Sequence, residues 1–284
     1  MTTPPAPSSP ELATFTTPTA PRCGLIVVGD EILSGKRVDK HLPKVIELLK
    51  ARGLQLDYAH YVGDAPERIT ATLKQAFASG DIVFSTGGIG ATPDDHTRQC
   101  AARALGVDLA LHPLAETLIC ERMHDLALEQ GTVFDPNRPD NLHRLNMGTF
   151  PVGANIIPNP YNKIPGFSCG SVHFVPGFPV MAWPMMEWVL DTHYPHLFQA
   201  HAWLEQSVIV LGAMEAALTP LMESVERDYP GVKVFSLPSV DHPQYGRHIE
   251  LGVKGAPKLV AQAYGALLAD LRRTNAKLGP ELVH

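Results

Sequence analysis

The apolar run Asp81-Ile82-Val83-Phe84-Ser85 feeds without a break into Thr86-Gly87-Gly88-Ile89-Gly90-Ala91-Thr92-Pro93-Asp94-Asp95. A buried strand that ends in Gly87, Gly88 and Gly90 dictates a sharp backbone reversal at the edge of a sheet. Glycine turns tightly and brings backbone N–H groups close to a ligand with no Cβ in the way. Successive N–H groups form an anion-binding nest, and a helix that follows adds its positive end. The outline is a phosphate cradle. It is neither the Gly-x-Gly-x-x-Gly fingerprint nor a Walker loop, because the glycine spacing differs and no Lys follows Gly90. Read locally, the same stretch is a tight turn in which Asp94 or Asp95 caps the next helix.

The flanking pattern predicts the sheet. Gly24-Leu25-Ile26-Val27-Val28 reads as a strand buried on both faces, and Leu56, Tyr58, His60 and Val62 alternate as a second strand. Between them Leu42, Val45, Ile46 and Leu49 fall at helical spacing before Gly53. Asp64-Ala65-Pro66-Glu67 has the form of a cap, a first-turn proline and a capping-box Glu, and Ile69, Leu73, Ala76 and Phe77 continue that helix. Helices are expected over Arg98–Leu105 and Pro113–Glu129, and strands at Asn155–Ile157 and Val172–Val175. An apolar helix with Trp183 and Trp188 on its packing face follows, kinked at Pro184. Strands alternating with helices imply a mostly parallel sheet covered on both faces, a three-layer α/β/α architecture. Such sheets bind ligands beyond the carboxyl ends of their strands.

From about Ala200 the order changes to strand, helix, strand, strand, helix: Ser207–Leu211, Ala213–Arg227, Val232–Ser236, His248–Val253 and Pro257–Asn275. This predicts a smaller α+β domain over residues 200–284, after a larger domain over 23–195. The Pro-, Thr- and Ser-rich residues 1–22 lack the basic start and apolar core of a signal peptide and read as a disordered lead-in.

Two aspartates stand beside the proposed phosphate. Carboxylates and phosphate repel unless a cation lies between them, and Mg²⁺ prefers such oxygen ligands. Asp64, Asp94 and Asp95 are therefore candidate metal ligands. Asp64 also fits a plain helix cap. Asp30 and Glu31, after the first strand, either touch ligand hydroxyls or begin the next helix. Thr86, Gly87, Gly88, Ile89 and Gly90 are the candidate phosphate-binding residues, and Pro176-Gly177-Phe178-Pro179 is a second turn that can bring N–H groups to the cleft.

Composition removes other classes. A formal charge of −6 argues against nucleic acid as a partner. No apolar stretch approaches the ~20 residues of a membrane helix, so no membrane partner is expected. Cys23, Cys100, Cys120 and Cys169 form no Cys-x-x-Cys pair, and no His-x-x-x-His pair marks a zinc site. The expectation is a cytoplasmic protein with reduced, mostly buried thiols.

Together these segments resemble the MoaB/Mog-like molybdopterin-binding domain, in the version carried by the competence/damage-inducible protein A (CinA) family. Residues 86–95 with Thr97-Arg98 match its signature, Gly29-Asp30-Glu31-Ile32-Leu33-Ser34-Gly35 its first loop and Val62-Gly63-Asp64 its second. Asn159-Pro160, Pro165-Gly166-Phe167 and Pro176-Gly177-Phe178-Pro179 follow in order. The resemblance implies a site at the glycine loop, catalytic roles for Asp64 and Asp95, a divalent metal such as Mg²⁺, and self-association into a homo-oligomer. It implies one of three functions: metal-dependent hydrolysis of an ADP-ribose-type pyrophosphate, binding or adenylylation of molybdopterin, or ligand binding without turnover. The chain departs from the family at Val38-Asp39-Lys40-His41, at Asn162-Lys163 and at Val180-Met181, where an acidic residue is usual, so the ligand rim is altered. Gly-Glu-Ser-Cys-Thr-Gly-Gly, the motif of an appended deamidase domain, does not occur, and deamidase activity is not predicted.

Overall fold

The structure, a computed structural model, describes residues 21–198 and 204–283. The lead-in assigned to residues 1–22 falls on 1–20, outside the described residues. Arg22 is described, and its guanidinium pairs with Asp81 at 3.3 Å.

The described chain falls into two compact units, one comprising residues up to Ile46 and Gln55–Val189, the other Glu47–Leu54 and the residues from Leu190. In order, the elements that build the first run β1 (Cys23–Val28), α1 (Asp30–Leu33), α2 (His41–Lys50), β2 (Leu56–Val62), α3 (Pro66–Ser79), β3 (Ile82–Thr86) and α4 (Thr97–Leu105). There follow β4 (Leu109–Leu111), α5 (Pro113–Glu129), α6 (Pro139–Leu145), β5 (Thr149–Pro151), β6 (Asn155–Ile157), β7 (Gly166–Cys169), β8 (Val172–Val175) and α7 (Pro179–His193).

The main sheet has the order β2-β1-β3-β8-β7-β6. Strands β2, β1, β3 and β8 are parallel, while β7 runs antiparallel to both β8 and β6. Every residue of β1 and β3 is buried, as their unbroken apolar runs require for central strands. The edge strand β2 is half-buried or exposed up to Val62, and the alternation expected from sequence breaks at His60, which is exposed beside Tyr61. Packing extends across the antiparallel part, where Phe167 and Phe174 are cross-strand partners with rings stacked 4.4 Å apart and Phe150 stacks on Phe167 at 4.6 Å.

Strand order fixes where a ligand can sit. From β1 the chain crosses to β2 on one side, whereas β3 lies on the other side of β1 and continues toward β8. The crevice outside the carboxyl ends of β1 and β3 is thus a topological switch point. Gly29-Asp30 follows β1 and the glycine loop follows β3.

The second unit contains β9 (Leu204–Leu211), α8 (Glu215–Asp228), β10 (Lys233–His242), β11 (Gly246–Gly255), α9 (Pro257–Arg273) and β12 (Lys277–Val283). Its antiparallel sheet has the order β10-β11-β9-β12, so a final strand follows the β-α-β-β-α series expected from sequence. Val208, Val210, Leu251, Val253, Leu267 and Leu271 are among the residues of its own core. Among the described residues no helix is long and apolar enough to cross a membrane.

Candidate functional site

The glycine loop is built so that the carbonyls of residues 87–90 are consumed, while the amides of residues 88–91 are not. Gly87 O accepts from the Thr97 hydroxyl at 3.1 Å and Gly88 O from the Thr97 amide at 2.9 Å. The Arg98 guanidinium donates to Ile89 O at 2.8 Å and to Gly90 O at 2.7 Å. In a trans peptide the N–H points opposite to the C=O of the same unit. The amides of Gly88, Ile89, Gly90 and Ala91 are therefore turned away from α4, and none has a hydrogen-bond partner among the described residues. Such a row of free donors is an anion-binding nest.

Glycine is needed there for two reasons. Gly87 and Gly88 have φ of +91° and +68°, in the left-handed region. A Cβ on Gly87 would collide with the Val28 carbonyl, and one on Gly88 with the Thr97 hydroxyl. Arg98 lies only 5% exposed beneath the loop, so its charge adds positive potential behind the nest. Burial lowers its pKa while Asp95 nearby raises it. Thr97 and Arg98 stand in the signature, but the sequence did not reveal that they hold the loop from behind. Three-residue spacing of Asp95 and Arg98 across a helix start was the available signal.

The other named residues take distinct places. The Ile89 side chain is buried in the main core, leaving only its backbone for a ligand. Thr86 is 1% exposed and its hydroxyl lies 3.5 Å from Ile26 O, inside the sheet. Asp95 receives the Thr92 amide at 2.9 Å and the Thr92 hydroxyl at 2.6 Å on one carboxylate oxygen, closing the loop on itself. Asp94 is exposed. Glu31 folds back over Gly29.

Asp64 does not cap α3. The cap position is Ala65, and no side chain bonds there. Instead the Asp64 carboxylate accepts the amide of Asp30 at 3.0 Å, and the Asp30 carboxylate accepts the amide of Asp64 at 3.2 Å. Burial raises the Asp64 pKa above the ordinary carboxylate value. The Asp30 amide opposes this, and the charges of Asp30, Glu31 and Asp94 add to it.

A third segment closes the arrangement. Gly177 approaches the loop so closely that a Cβ on it would sit 3.5 Å from the Gly87 Cα. Its carbonyl accepts from His41 Nε2 at 3.0 Å, while His41, 4% exposed, begins α2 behind the capping carboxylate of Asp39. Pro176 is half-buried at the head of this turn. At a second departure from the family pattern, Lys163 adopts φ +64° and pairs with Asp125 at 2.8 Å.

Among the described residues no three His, Cys, Asp or Glu side chains converge to hold a metal ion. Asp64 is engaged by Asp30 and Asp95 by Thr92, so a protein-only cage is not preformed.

Cavities open at both ends of the strands in this unit. One, of about 330 Å³, flanks the loop and is lined by Thr92, Asp95, Arg98, Gln99, Asn146 and Thr149 among others. The other, of about 250 Å³, lies around Arg22, Tyr58 and Asp81 at the opposite ends of the strands. There Arg22 and the Tyr58 hydroxyl both bond to Asp81, so the polar groups satisfy one another and the chemistry points to the loop instead.

Residues 24–197 match the family described as "Probable molybdopterin binding domain". A protein of Pyrobaculum calidifontis is 30% identical over 264 residues, covering 89% of this chain and 94% of that one. A "CinA-like protein" of Anaeromyxobacter sp. is 33% identical over 178 residues, 61% of this chain but 40% of the relative, so the chain spans less than half of that protein. Among solved structures, the protein CinA "with unknown function" from Thermoplasma acidophilum is similar with a TM-score of 0.51 and 27% identity, over 61% of this chain and 97% of that one.

Proposed function

The chain belongs to the molybdopterin-binding-domain family, and from that premise we propose that it binds a phosphorylated small molecule at the glycine loop and cleaves a phosphoanhydride in it. The observation that carries binding is the orientation of the Gly88, Ile89, Gly90 and Ala91 amides, whose partner carbonyls are all taken by Thr97 and Arg98. Donors fixed in advance stabilise charge that develops on phosphate oxygens, at no cost in reorganisation.

Cleavage is assigned to the acidic side of the crevice. Water adds to a phosphorus atom, the bridging P–O bond breaks, and two phosphate monoesters leave with release of a proton. Asp64, clasped to the Asp30 amide at the edge of the crevice, is the group assigned to orient that water and take its proton. Asp95 keeps the loop closed through Thr92. A divalent cation, held by Asp64 and Asp94 together with the ligand's own phosphates and with the free oxygen of Asp95 within the same loop, would neutralise the carboxylates and polarise the phosphoryl oxygens.

ADP-ribose is the first substrate to try. Purified protein is incubated with ADP-ribose and Mg²⁺, Mn²⁺ or Co²⁺, beside a metal-free sample and Asp64→Asn, and AMP is followed by chromatography. AMP that forms only with metal and is lost in Asp64→Asn supports the hydrolase. The family description favours a second reading, in which a molybdopterin-related pterin is the ligand. Pterin phosphate that protects against thermal unfolding, with no AMP from ADP-ribose under any metal, moves the assignment there.

A further inference from the structure

The rim of the crevice carries large apolar side chains that are exposed. Val38 is 82% exposed, Tyr161 62%, Phe178 56% and Val180 54%. These side chains sit on three segments that the topology brings to the nest end of the sheet. Val38 precedes α2, whose first residue His41 bonds to Gly177 O. Phe178 and Val180 follow Gly177 directly. Tyr161 lies in the connection from β6 to β7, and because β7 runs antiparallel to β8 this connection emerges at the same end as the glycine loop. The Asn162 amide, one residue on, donates to the Met181 sulfur at 3.4 Å, which ties the Tyr161 and Phe178 segments together. Of the charged groups among them, Asp39 caps α2 and accepts from Tyr61, Lys163 pairs with Asp125 and Glu121, and Lys40 is exposed.

An anion anchored in the nest presents whatever it is esterified to against this rim. Large exposed apolar side chains grouped on adjoining segments mark a contact surface, and small-molecule sites combine such walls with a few fixed polar donors. Two of the four are aromatic, and an aromatic ring best covers a planar heterocycle. We infer that Phe178 and Tyr161 are specificity-determining residues that select a phosphate ester bearing a planar aromatic ring over one bearing a sugar alone. This rests on the glycine loop being the phosphate site.

The test compares AMP, ribose 5-phosphate and inorganic pyrophosphate by calorimetry on the wild-type chain and on the variant Phe178→Ser/Tyr161→Ser. AMP and ribose 5-phosphate differ by the ring alone. Because both side chains are more than half exposed, the variant is expected to keep its unfolding midpoint. The expected result is AMP binding about tenfold or more tighter than ribose 5-phosphate to the wild type. In the double variant that gap closes, with ribose 5-phosphate and pyrophosphate unchanged. Equal wild-type affinities, or a gap that survives the double variant, overturn the inference and leave the loop assignment standing. Failure of pyrophosphate itself to bind, or binding that persists undiminished in Gly88→Ala, overturns the loop assignment and the inference with it.

Discussion

Asp30 and Asp64, 34 residues apart in sequence, exchange hydrogen bonds reciprocally, each carboxylate accepting the other's backbone amide. The clasp joins the loop after β1 to the loop after β2 and holds two acidic groups together at the edge of the crevice.

The clasp concentrates negative charge, and Asp64 bears the consequence. Its folded-state pKa is raised, so the fold takes up a proton there more readily than the unfolded chain does. That contribution to stability is complete below the unfolded carboxylate pKa and is lost as pH rises through the folded one. Asp64→Asn, which keeps an oxygen to accept the Asp30 amide, should leave the urea midpoint at pH 7 unchanged or higher while abolishing turnover. A clear drop in the midpoint would contradict the sign of the shift.

Arg98 holds two loop carbonyls from a buried position. Arg98→Met leaves both without a partner and should cost about 2–3 kcal/mol in chemical denaturation. Anion binding should fall as well, because the amides opposite those carbonyls are no longer aimed. Arg98→Lys keeps the charge but not the planar fork, and should recover only part of either loss.

Two left-handed glycines give an internal comparison. Gly80 at φ +72° ends α3 with open space where a Cβ would go, so Gly80→Ala carries only backbone strain, about 1 kcal/mol. Gly88→Ala carries the same strain and also displaces the Thr97 hydroxyl from Gly87 O, for about 2–3 kcal/mol in all. Anion affinity should be untouched by the first and lost with the second, read by calorimetry against thermal melts.

The thiols test burial directly. Cys23 and Cys169 are pushed up to about 12, by burial first in both and for Cys23 also by Asp57 and Asp81. Roughly one in ten thousand of each is ionised at pH 8. A thiol reagent added to the folded protein should therefore modify Cys120, the half-buried one, well before the other three. Mass spectrometry of early adducts reads the order.

Much of the fold was legible because its signals are local. The unbroken runs at β1 and β3 announced central strands, and Pro113 at the first turn marked the start of α5. What was missed depends on partners far along the chain. The strand β7 is four residues long and begins with glycine, so only its pairing with Phe174 and its neighbours makes it a strand. Likewise β12 contains Pro280 and polar residues, and exists as a strand by lying against β9. At four residues α1 is too short for periodicity. The glycine loop was legible as a sharp turn after β3, whereas the partner of Asp64 was not. Its neighbourhood spells a good cap, and only the distant Asp30 amide decides otherwise.

The contact of His41 with Gly177, and of Gly177 with Gly87, has an evolutionary side. Three positions separated by 46 and then 90 residues share one small volume, so a substitution that suits the ligand at any one of them is judged by the other two. A lineage cannot exchange His41 for a shorter side chain without releasing the turn that shields Gly87. Gly87 itself is fixed by the Val28 carbonyl, whereas a Cβ on Gly177 would meet the Gly87 Cα at 3.5 Å, an ordinary contact. Change at His41 or Gly87 therefore has to come with change in a partner, and Gly177 and the apolar rim beyond it are where single steps remain open.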